Sequence, residues 1–271
     1  MAVLTRGTRR NRDVRASYDA ARDTTDMQNY WSNADRLDAD SANSKAVRAK
    51  LVSRSRYEVA NNGYADGMVQ THANFMIGAA GPKLRMKSPS KAFNAMVEAA
   101  WERWAKAALL RRKLLCMAEA KVQDGEPFVV LRANPAIHDR VKLDVVPFET
   151  EQCTSPNLAF SEKGKIDGIK FDEFGNPEYY EILQQHPAGQ FSALGVTAEQ
   201  VPARFVLHWF RLRRPGQHRA VPEFRSTLNV GATSRRWREA TVAAAETAAD
   251  MAVILSTNMM PGQADPIKPF T

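Results

Sequence analysis

Residues 201–222 read VPARFVLHWFRLRRPGQHRAVP. The run Phe205, Val206, Leu207, His208, Trp209, Phe210 is apolar and rich in β-formers, so it reads as a strand. It leads straight into a basic turn, Arg211-Leu212-Arg213-Arg214-Pro215-Gly216-Gln217-His218-Arg219, marked by its Pro-Gly pair. After Pro222 the sequence turns alanine-rich and helical. A strand, a turn and a long helix in immediate succession call for an α+β fold. Arginines clustered on such a turn suit two-pronged pairing with carboxylates or phosphates.

Downstream, 223–256 reads as helix, with Ala240, Ala243, Ala244, Ala245, Ala248, Ala249 and Ala252 in one stretch. Alanine has the best helix propensity, and small side chains let neighbouring helices come close. The stripe Ala240, Ala244, Ala248, Ala252 lies near one face. Upstream, 126–210 has a period of two, with strands expected at 128–132, 141–146, 166–171, 179–183 and 205–210. Asp172-Glu173-Phe174-Gly175-Asn176-Pro177 reads as a hairpin loop between two of them.

Further upstream the period returns to that of a helix. In 90–122, Phe93, Met96, Val97, Ala100, Trp101, Trp104 and Ala108 recur at three- and four-residue steps. Ser88 or Ser90 is the expected cap, and Asp124-Gly125 the stop. Trp101 and Trp104 share a face and read as core. Residues 44–77 form another expected helix, weakened at Gly63 and Gly67 and ended by Gly78 to Pro82. The polar stretch before it reads as a mobile or partner-ordered arm.

Composition bounds the function. The 271 residues suffice for a sizeable core, and the formal charge of +8 favours acidic partners. Arginines also cluster at Arg6 to Arg15 and at Arg235, Arg236 and Arg238. No apolar run nears the roughly 20 residues a membrane helix needs. Cys116 and Cys153 have no metal-type spacing, and Cys116 reads as a small buried residue of a helix. Of the five histidines, His208 sits in an apolar strand and reads as a hydrogen-bonded core residue. Asp124-Gly125-Glu126 sets two acids beside a glycine, but as a helix stop and turn. No nucleophile elbow and no phosphate loop with its Lys-Ser/Thr is present. The chain is expected not to be an enzyme and to hold no metal or cofactor.

Several separated segments, taken in order, resemble the lambda-type portal proteins of tailed bacteriophages. Arg54-Ser55-Arg56-Tyr57 with Asn61-Asn62 is similar to the family's R-x-x-x-x-N-N segment, and Trp101-Glu102-Arg103-Trp104-Ala105 to its W-x-x-W-A. Asp124-Gly125-Glu126 is similar to its D-G-E, and Leu143 to Pro147 to the strand that follows. Ile166 to Ile169 and Asp172 to Pro177 resemble its G-I-E-x-D-x-x-G-R-P hairpin. Arg214-Pro215-Gly216-Gln217-His218-Arg219-Ala220-Val221-Pro222 matches R-P-G-Q-x-R-G-x-P, with Ala220 where the family has glycine. Glu149 to Cys153 departs from the family's pattern.

The resemblance covers about 45–256 of a family whose members are longer. It implies a structural protein forming a homo-oligomeric, dodecameric ring at one capsid vertex, through which DNA is packaged and ejected. Implied partners are further copies of the chain, terminase, the major capsid and head-completion proteins and double-stranded DNA, without a membrane. The implied place is the virion, after assembly in the host cytoplasm. The expected division is a flexible basic arm (1–45), wing-like helices (46–90), a stem-like helix (91–123), a β-rich clip-like insertion (124–212), a basic turn with an alanine-rich stem or tunnel helix (213–257) and a coil tail (258–271). Arg211, Arg213, Arg214, Gln217, Arg219, Arg235, Arg236 and Arg238 are the expected contacts to DNA or a neighbouring subunit. The alternatives are a free-standing nucleic-acid-binding protein, which would interleave aromatics with Lys and Arg on one sheet face, and an oligomeric scaffold unrelated to phage.

Overall fold

The computed structural model describes residues 30–155, 164–189 and 197–257. The chain divides into two units, 1–38 and 39–271. Of the first, residues 30–38 are described: the Ala34 N–H donates to the Trp31 carbonyl at 2.9 Å, closing a turn. The rest of the expected arm up to 29, and the expected tail at 258–271, lie outside the described residues.

In the larger unit, helix α1 (Ala39–Ala42) precedes α2 (Lys45–Asn61) and α3 (Gly63–Ile77). The single helix expected over 44–77 is broken at Asn62, which is extended at φ −132°. Its side-chain oxygen accepts the Tyr64 N–H at 3.2 Å and so starts α3, while its amide donates to Glu58 Oε1 at 2.7 Å. The helix expected over 90–122 is likewise two helices, α4 (Lys91–Ala107) and α5 (Leu110–Gln123). Ser90 caps α4, accepting the Phe93 N–H at 3.3 Å. Leu109, at φ 54°, turns the chain between them.

Among the described residues seven strands follow: β1 (Phe128–Ala133), β2 (Leu143–Phe148), β3 (Lys165–Ile166), β4 (Ile169–Phe171), β5 (Pro177–Leu183), β6 (Ala198–Pro202) and β7 (Val206–His208). They form two antiparallel sheets, ordered β2-β1-β7 and β3-β4-β5-β6. The strand expected over 166–171 is a tight hairpin turning at Asp167-Gly168, and β6 was not anticipated. The hairpin loop from Asp172 to Asn176 joins β4 to β5 as expected, and the α+β class holds.

β1 is buried on both faces. Phe128 and Val130 pack between the sheets with Ile169, Ile182, Val201 and Val206. Val129 turns the other way, onto Trp104, Leu110, Met117 and Val145. Full burial of such side chains stabilises by roughly 1.5–3 kcal/mol each. The layers are therefore helices, sheet, sheet. Helices α4 and α5 share a core with β1 and β2, so the boundary expected at 123/124 is not a packing boundary. Trp104 is core, as read, and its Nε1–H donates to the Leu143 carbonyl at 2.8 Å. Cys116 is exposed rather than buried.

Helix α6 (Leu228–Thr257) follows a short 3₁₀ turn at Glu223–Ser226. Its first turns pack on α2. From Glu239 to Ala249 every side chain is exposed. Among the described residues no helix is long and apolar enough to cross a membrane.

Candidate functional site

The end of α5 organises the molecule. Asp124 receives a two-pronged bond from Arg56 of α2, Nε and Nη2 each at 2.8 Å. Gly125, at φ 97°, lies so close to the Val221 backbone that a Cβ would stand 2.3 Å from the Val221 carbonyl carbon. Glu126 is fully buried and accepts four bonds. They come from Arg219 Nε (2.8 Å), Thr150 Oγ1 (2.9 Å), the Ala220 N–H (2.9 Å) and His208 Nε2 (2.8 Å). A carboxylate only accepts, so His208 carries its proton on Nε2.

The R-P-G-Q-x-R turn is built around that acid. Gln217 closes it, accepting from the Arg213 and Arg214 N–H groups at 3.0 and 3.3 Å and donating to the Arg219 carbonyl at 3.0 Å. The His218 N–H donates to Asp40 Oδ1 at 3.0 Å, and its ring meets Asp40 Oδ2 at 2.7 Å. Arg219 is 1 % exposed. Besides Glu126, its guanidinium donates to the carbonyls of Cys153 (2.9 Å), Asp167 (2.6 Å) and Thr150 (3.1 Å). Ala220, where the family has glycine, does not take positive φ.

The predicted site residues therefore part company. Arg219 was expected to contact DNA or a neighbouring subunit and lies instead in the protomer's own core, where Glu126 and three carbonyls take up its guanidinium. Gln217 is also buried, inside the turn. Arg235 bonds Glu58 (3.4 Å) and lies over the Tyr57 ring, and Arg238 bonds Asn62 (3.5 Å) over the Tyr64 ring, so both tie α6 to the α2–α3 junction. Arg211, Arg213, Arg214 and Arg236 are exposed. Arg213 pairs with Glu223, which also takes Lys121 at 3.4 Å.

His208 is the hydrogen-bonded core residue read from the sequence. The Cys153 thiol is pushed up to about 12, first by burial, and so is protonated at neutral pH and a poor nucleophile. Glu149, Glu151 and His186 were not associated from sequence, yet their ligand atoms lie within 4.8 Å of one another. The geometry does not suit a metal. His186 Nδ1 accepts the Ala188 N–H at 3.1 Å, which leaves the proton on Nε2, facing the acids. Arg56 Nη2 already sits 3.0 Å from each carboxylate. In a half-open pocket of about 140 Å³ beside Arg219, whose lining includes Ala49, Val52 and Pro187, the polar groups are paired among themselves: Arg48 with Asp167, Lys45 with Thr154 at 2.5 Å. The site is a structural keystone beneath an exposed arginine turn.

The keystone makes stability depend on pH. Burial alone would raise the Glu126 carboxyl, but Arg219 and then His208 outweigh it and hold the group at about 2, against an ordinary 4.5. Burial keeps His208 below its ordinary 6.5 despite the pull of Glu126. In both cases the unfolded chain takes up the proton first as pH falls, so both contributions are present at neutral pH and are lost on acidification. The urea midpoint is expected to fall from below pH 6.5 down towards 2. A midpoint unchanged between pH 7 and 3 would contradict this.

Residues 24–268 match the model of the lambda family of phage portal proteins. No curated protein matches the chain. The family match spans both the tryptophan helix and the arginine turn, whose most specific residues the structure gathers around Glu126. On this match and the ordered motifs, the chain belongs to the lambda family of phage portal proteins.

Proposed function

We propose that the chain assembles into the ring at a capsid vertex through which DNA is packaged and ejected, docks terminase there and catalyses no reaction itself. Family membership carries the structural, capsid-associated role. Supporting the ring is the face α6 turns away from its own protomer. Val230, Thr233, Trp237, Ala240, Thr241, Ala244 and Ala248 lie along one side at helical spacing, all exposed. Arg235, Glu239 and Glu246 lie on the opposite side. An uncharged face carrying a tryptophan 67 % exposed is what a neighbouring subunit would cover. The exposed residues of the arginine turn, Arg211, Arg213 and Arg214, are proposed to contact that neighbour rather than passing DNA. A strong grip on phosphates would hinder sliding.

Electron microscopy of the purified protein should show rings with an axial hole. Ala244→Leu and Ala248→Leu should overpack the proposed helix contact by roughly 1–3 kcal/mol per site and leave fewer or smaller rings, with the monomer folded. Undiminished rings carrying both leucines would assign that face to solvent.

A further inference from the structure

The hairpin loop between β4 and β5 is stiff and presents an apolar tip. Asp172 Oδ1 accepts the N–H groups of Phe174 and Asn176 at 2.9 and 2.7 Å, and Oδ2 accepts from the Asn176 amide at 3.0 Å. Gly175, at φ 84°, completes the turn. The loop holds Phe174 88 % exposed. Glu173 and Glu178, on either side, are exposed and carry no ion pair among the described residues. A rigid loop with an outward aromatic and flanking acids is already shaped for docking, because little freedom remains to be lost.

The arginine turn has the opposite character. Leu212 is 64 % exposed between Arg211 and Arg213. Among the described residues Glu223 alone pairs with Arg213 and with Lys121, while Arg225 lies near enough to feel the charges of Arg213, Glu223 and Arg211. The turn therefore shows a surplus of cations around an exposed leucine. Within the protomer no ion pair joins Glu173 or Glu178 to these cations. A ring is made by joining two different patches of one chain, each complementary to the other.

We propose that the Phe174 loop of one copy seats on the arginine turn of the next, with Phe174 against Leu212 and Glu173 and Glu178 facing Arg211 and Arg225. This rests on the ring reading and names the surfaces that close it. Separately purified Glu173→Arg and Arg211→Glu variants test it, with circular dichroism to establish that each is folded. Each alone is expected to need roughly tenfold more protein than the wild type to form rings, since like charges then meet at every joint. Mixed in equal amounts they should recover, because alternating copies restore an acid opposite a base at each joint. If the wild type forms no rings, the ring reading itself fails. If the wild type forms rings and either variant assembles as well, or the mixture shows no recovery, the pairing proposed here is overturned and the loop serves a different partner.

Discussion

Arg219→Met should destabilise the protomer by about 3–5 kcal/mol, because it strands the Glu126 carboxylate in the core without its cation. That is a large fraction of the roughly 5–15 kcal/mol by which a domain is stable. The loss reaches beyond one ion pair. The carbonyls of Thr150, Cys153 and Asp167 lose their shared donor at the same time, and unsatisfied buried acceptors are themselves costly. Adding Glu126→Gln should recover part of the loss, since it removes the buried charge. Urea unfolding followed by circular dichroism reads both. An Arg219→Met midpoint within error of the wild type would show that the carboxylate finds another partner.

Gly125→Ala should be comparably severe, about 3 kcal/mol or more. The backbone conformation at φ 97° is one that side chains tolerate poorly, at roughly 1–3 kcal/mol. The new Cβ would also meet backbone, not a flexible side chain: the Val221 carbonyl oxygen at 2.4 Å and the Pro222 nitrogen at 2.8 Å. Relief would require moving the segment that delivers Arg219 to Glu126. Gly67 is the contrast. It lies within α3, and a Cβ there meets nothing within 4 Å, so Gly67→Ala should stabilise by about 0.5–1 kcal/mol. Thermal melts of the two variants should move in opposite directions.

These residues also show where the sequence was legible. Periodicity placed the helices and most strands, because apolar spacing reflects which face a residue buries. It ran α2 into α3 and α4 into α5, since Asn62 and Leu109 interrupt the helix without interrupting the apolar pattern. Asp124-Gly125 was correctly read as a helix stop. Glu126 is something more, and its partner lies 93 residues away, where no local pattern reaches. The hint was there in the surroundings: Glu126 is followed by Pro-Phe-Val-Val and Arg219 by Ala-Val-Pro, so each charge is embedded in apolar sequence. Counting Arg219 with its exposed neighbours treated clustered charge as surface charge. The turn in fact points one arginine inward to fix the others outward.

The spacing between Glu126 and Arg219 also orders events during synthesis. The 93 residues between them take on the order of 5 to 20 s to emerge from a ribosome working at about 5–20 residues per second. Until then Glu126, just ahead of β1, is a buried-type acid without its cation, and the core around it is incomplete. The arginine turn takes shape only when Arg219 arrives. In the ring proposed above, a nascent chain could not offer that surface to another copy before Arg219 has been made, which would keep half-made subunits out of the assembly.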